Sequence, residues 1–99
     1  MPDFANPFSG NVPRPMSDQE LIRAIRIAVA AEEEAVHMYT AQAEAAQNAL
    51  AKKVLLDIAD EERVHAGELL ELLRRLAPDE ARLLDEGKQE VEDMAQETG

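Results

Sequence analysis

No cysteine occurs anywhere in the chain, which removes disulfides, thiolate-bound zinc and iron–sulfur clusters from its chemistry without fixing its compartment. Aromatics are nearly as scarce. Phe4 and Phe8 precede any helix signal, so only Tyr39 is left for a core that must otherwise be built from Leu, Ile, Val and Ala. Long apolar runs are also missing: the longest, residues 27–31, is far below the ~20 residues a membrane-spanning helix needs. No signal-peptide pattern opens the sequence, and a cytoplasmic location is the default expectation. Basic residues are outnumbered 10 to 21 by acidic ones, and the net charge of −11 argues against nucleic acid and anionic membranes as partners. It favours cations.

What is present reads as one small helical domain, with 45% apolar and 31% charged residues in a 99-residue chain. Four of the five prolines fall in residues 1–16, with Gly10, Asn6 and Asn11, and predict an irregular N-terminal arm. Ser17-Asp18-Gln19-Glu20 is a capping box that starts a helix. A single helix from there to Leu76 would be about 90 Å long, and the weak stretch Gln47-Asn48 predicts a turn at about 46–49, with Asn48 capping a second helix. Ala77-Pro78-Asp79-Glu80 ends that helix and begins a third, because proline and acids suit a first turn. The reading is all-α: helices at about 17–46, 49–77 and 79–96 within a domain spanning 17–97. The first two form an antiparallel hairpin, and the third is a docking element whose stripe of Leu84, Val91 and Met94 is interrupted by Gly87. Two or three helices make a thin core, so oligomerisation is expected.

Two apolar seams organise the hairpin. In the first half, Ile22 or Ile25, then Val29, Glu32, Val36, Tyr39, Ala43, Ala46 and Leu50, step by 4 and 3 from Ile25 onward. In the second, Leu55, Ile58, Glu62, His65, Leu69, Leu72 and Leu76 step by 3 and 4. Glu32, Glu62 and His65 are the polar intruders, and neither seam carries a Lys or Arg to neutralise the carboxylates. Burying unpaired charge costs several kcal/mol. A metal cation answers that cost better than an internal salt bridge.

Glu62 and His65 are three apart on one helix and can reach the same ion, a carboxylate oxygen beside an imidazole nitrogen. An antiparallel fold brings Glu32 opposite them. One chain then offers half of the ligand inventory of a di-metal helical bundle, and a two-fold dimer of hairpins supplies the other half around two ions. The four carboxylates balance two ferrous ions. Metal binding and dimerisation are therefore expected to be linked. The bland alternative is that Glu62 and His65 hydrogen-bond each other or point outward from a slightly rotated helix.

With these residues the chain resembles the encapsulated ferritins, whose half-size subunits pair an acid-rich first helix with a DEExxH-like second one. The matching words are Glu32-Glu33-Glu34-Ala35-Val36-His37-Met38-Tyr39 and Asp60-Glu61-Glu62-Arg63-Val64-His65-Ala66, within roughly residues 20–95. The resemblance implies a ferritin-like four-helix bundle completed by dimerisation, with Glu32, Glu62 and His65 as di-iron ferroxidase ligands at the subunit interface and Tyr39 close by. It also implies Glu34 as an iron uptake site, a ring of dimers, typically a decamer, and delivery of ferric product into an encapsulin shell in the cytoplasm. At position 31, where the family often carries a second acid, this chain has alanine. The family's apolar-basic cargo tail has no counterpart in Met94 to Gly99, as expected of a truncated chain, a part of a shell fusion or a protein acting outside a shell.

Tyr39 reads equally well as a partner of the metal site or as a core aromatic with a satisfied hydroxyl. His37, one turn after Glu33, reads as half of a solvated ion pair, and Met16, Met38 and Met94 need no cofactor to explain them. Two other functions compete with ferrous iron oxidation by dioxygen or peroxide. One is a rubrerythrin-like di-iron peroxidase, which has no rubredoxin-type cysteines here to supply its electrons. The other is a non-catalytic helical oligomerisation module in which the seam polars set register.

Overall fold

The computed structural model describes residues 13–98, and three helices fill nearly all of that span: α1 (Asp18–Ala45), α2 (Ala49–Leu76) and α3 (Pro78–Thr98). Most of the proline-rich arm expected over residues 1–16, including Phe4 and Phe8, lies outside the described residues. Each helix start is made by the chemistry its sequence supplies. At α1 the Ser17 hydroxyl accepts from the Glu20 N–H at 3.2 Å while the Glu20 carboxylate accepts from the Ser17 N–H at 2.9 Å, the reciprocal box. At α2 the Asn48 side chain accepts from the Ala51 N–H at 2.9 Å. Pro78 opens α3, where its missing N–H costs nothing, with Asp79 and Glu80 in the first turn.

The short connection at Ala46 to Asn48 folds α2 back along α1, and these two helices share the main packing interface. On α1 the inward stripe is the expected one, with Ile25 and Ala43 buried and Val29, Glu32, Val36, Tyr39 and Ala46 half-buried. On α2 it is rotated by one residue from the sequence seam. Ala59, Ala66 and Leu73 are buried in place of Ile58, His65 and Leu72, of which Ile58 is half-buried and the other two exposed. Leu55, Glu62, Leu69 and Leu76 complete the inward face. The small side chains of Ala59 and Ala66 let α1 approach closely, and the bulkier positions 58, 65 and 72 are turned to the flank. Leu50 belongs to the first turn of α2 and is exposed.

Helix α3 continues unbroken through Gly87 and buries none of its residues; Leu83, Leu84, Val91 and Met94 all face outward. Its position is held by a fork between Arg26 of α1 and Glu80, with N–H···O distances of 3.2 and 2.8 Å. The radius of gyration is 17.3 Å, where a compact domain of 100 residues has about 13 Å. Among the described residues, no helix is long and apolar enough to cross a membrane.

Candidate metal centre

Glu32 and Glu62 are each fifteen residues from Gln47 at the turn, so an antiparallel hairpin sets them at the same height. His65 follows Glu62 by one helical turn on α2. The result is one cluster in which a ligand atom from each of Glu32, Glu62 and His65 lies within 4.8 Å of the others. The His65 Nδ1 is 3.7 Å from Glu32 Oε2 and 3.7 Å from Glu62 Oε2. That is too long for a hydrogen bond, so Glu62 and His65 do not bond each other, whereas the one-residue rotation of α2 does turn His65 half outward, as the other bland alternative has it. Two donors about 2.1 Å from a common ion at a tetrahedral angle are separated by about 3.4 Å, a few tenths of an ångström less than the distances here. The spacing suits a shared cation.

Burial makes the case more specific. Glu32 and Glu62 keep only 23% and 20% of their side-chain surface, whereas His65 keeps 50% and opens the cluster to the flank of α2. Glu32 Oε2 is sealed from solvent and has no hydrogen-bond partner. A buried acceptor left unpaired costs about 1–3 kcal/mol, more when charged, and the arginine that follows Glu62 in the sequence does not reach it. Arg63 turns away to Asp60 at 2.8 Å. With no donor to satisfy it, this oxygen fits a cation, and a set of two carboxylates and one imidazole suits a divalent first-row metal.

Beside the cluster an open cavity of about 340 Å³ is lined by Glu32, Glu34, Tyr39 and Glu62, with Met38 on its wall. Tyr39 is thus half-buried at the cavity, and Glu34 is an exposed carboxylate on its rim. Ala31 also lines it and contributes a methyl where an acid would have added charge. His37 and Glu33 are exposed and outside this lining, and among the described residues the expected ion pair between them does not form. Sequence reasoning gave Met38 no part in the site. The signal was available in the i, i+4 relation of Glu34 to Met38, one turn apart on the same strip of α1.

Comparison with known proteins agrees with this fold. The family model described as Rubrerythrin matches residues 24–98. The encapsulin nanocompartment cargo protein EncC of Myxococcus xanthus is 46% identical over 76 residues, 77% of this chain and 58% of the relative. A ferritin-like–encapsulin shell fusion protein of Pyrococcus furiosus is 35% identical over 89 residues, 90% of this chain and 26% of the fusion. The chain therefore spans under two thirds of either curated relative. The crystal structure of the encapsulated ferritin domain from Pyrococcus furiosus superimposes with a TM-score of 0.81 at 34% identity, covering 91% of this chain and 92% of that one.

Proposed function

The chain belongs to the rubrerythrin family of ferritin-like proteins and, within it, to the encapsulated ferritins, and from that premise we propose that it is a ferroxidase acting on ferrous iron between two copies of its hairpin. The observation that carries this reading is the convergence of Glu32, Glu62 and His65 around a carboxylate oxygen that no protein donor satisfies. One chain supplies two carboxylates and one imidazole, and a two-fold partner presents the same set again. Bound iron supplies the redox chemistry, one electron per ion to dioxygen or peroxide. The chain holds the substrate ions in place. Glu32 and Glu62 neutralise the ferrous charge and His65 supplies a nitrogen donor at the open flank. Glu34 draws cations to the cavity mouth, and Tyr39 stands at the cavity wall as a hydrogen-bonding partner or electron donor.

The names of the relatives support an encapsulin shell as the partner and its lumen, within the cytoplasm, as the location. A ring of dimers, decameric as in the family pattern, would bring several such sites into one particle. The Rubrerythrin match also supports a second reading, a peroxidase that uses the same ligands and is re-reduced by an external electron donor. Anaerobic ferrous titration followed by admission of air separates these. Ferroxidase activity predicts saturation at about one iron per chain and prompt ferric absorbance. Glu32→Ala and His65→Ala should weaken iron binding by more than the roughly 10–100-fold that loss of an outer-shell partner costs. Absence of stoichiometric binding would leave the seam polars a purely architectural role. Peroxide consumption that needs an added reductant, with no net ferric product, would favour the peroxidase.

A further inference from the structure

Met38 lines the cavity together with Glu32, Glu34, Tyr39 and Glu62, yet packing within the hairpin does not explain it there. Its side chain remains 37% exposed, so it is no part of the core, and a soft thioether does not compete with carboxylates for ferrous iron. A thioether does reduce peroxide, by accepting one oxygen to become a sulfoxide that reductases can restore. We infer that Met38 is a peroxide-scavenging modification site, oxidised to the sulfoxide by hydrogen peroxide released from iron oxidation in this cavity.

The inference rests on the ferroxidase reading, and its chemistry balances. Two ferrous ions pass two electrons to dioxygen, which takes up two protons and becomes hydrogen peroxide. The lone pair of the Met38 sulfur then attacks one peroxide oxygen, forming the S–O bond as the O–O bond breaks. Sulfur is oxidised by two electrons. The hydroxide that leaves takes the proton from the transferred oxygen and departs as water. The oxidant reaches Met38 from inside the cavity, so scavenging does not depend on how widely the residue meets bulk solvent.

That independence can be tested within the one protein. Met94 lies on α3, away from the cavity, and at 54% exposure is the more accessible thioether. Peptide mass spectrometry would follow the gain of one oxygen at Met38 and Met94, first in metal-free protein given added hydrogen peroxide, then in iron-loaded protein turning over in air. Bulk peroxide should oxidise Met94 ahead of Met38, and iron turnover should reverse the order severalfold. Ferric product forming while Met94 still keeps pace with Met38 would overturn the inference alone, as would a preference for Met38 already present without metal. Failure to form ferric product at all would remove the ferroxidase reading, and this inference with it.

Discussion

Two glutamates on the same helix have opposite surroundings, and the contrast separates an architectural carboxylate from a chemical one. Glu20 has its needs met within the chain: Arg14 donates to both of its oxygens at 2.8 and 2.7 Å, and the Ser17 N–H adds a third bond at 2.9 Å. Glu32 Oε2 has none. The Arg14 hydrogen bonds, followed by the Ser17 backbone bond, lower the pKa of Glu20 from 4.5 to about 2. Because the folded value is depressed, the stabilisation from Glu20 is complete above its ordinary pKa and is lost as pH falls toward 2. An NMR titration of the Glu20 side-chain carboxyl should give a midpoint near 2, rising toward the ordinary range in Arg14→Ala. A midpoint near 4.5 in the unsubstituted protein would mean that the Arg14 fork does not persist in solution.

At the level of helices, the capping residues Ser17, Asn48 and Pro78 mark their starts plainly, because each supplies or dispenses with a specific backbone hydrogen bond. The α2 seam was harder to read. Ile58, His65 and Leu72 satisfy the same heptad spacing as Ala59, Ala66 and Leu73 one residue later, and periodicity cannot choose between adjacent stripes when both are largely apolar. Close helix approach favours the alanines, a tertiary preference invisible in the chain alone. Glu32 and Glu62 belong to the inward stripe under either reading, which is why the two carboxylates were legible, while the half-open setting of His65 and the cavity position of Met38 were not. The angle of α3 was equally hidden, since the Arg26–Glu80 pair spans 54 residues of sequence. Arg26 is 52% exposed and Glu80 14%, so the coupling should exceed that of a fully solvated pair only modestly. A double-mutant cycle with Arg26→Ala and Glu80→Ala in chemical denaturation should return about 0.5–1 kcal/mol. A coupling near zero would leave the α3 direction to the Ala77-Pro78 junction and to the contacts of α3 with α2.

For the molecule as a whole, the described residues include five buried apolar side chains and eleven large exposed ones, among them Leu56, Val64, Leu70 and Leu72 on α2 and four on α3. That balance is inverted for a self-sufficient domain. Small chains bury too little apolar surface to offset the entropy of folding unless something else contributes, and here neither a disulfide nor a large aromatic core is available. In the proposed dimer a second copy would supply apolar surface and would also close the flank on which His65 leaves the cluster half-open. Folding, assembly and ferrous binding should then draw on one free energy. In metal-free protein the melting temperature should rise with protein concentration, since dilution favours the poorly buried single chain. Anaerobic ferrous iron at a hundredfold excess over Kd should add about 2.7 kcal/mol per site to the assembled state and displace dissociation, read by native mass spectrometry, to lower concentration. The increment should disappear in His65→Ala while the concentration dependence remains, because the apolar surface is untouched by that substitution. A melting temperature independent of concentration over about a hundredfold range would show instead that the hairpin stands alone and that its exposed leucines serve some purpose other than self-association.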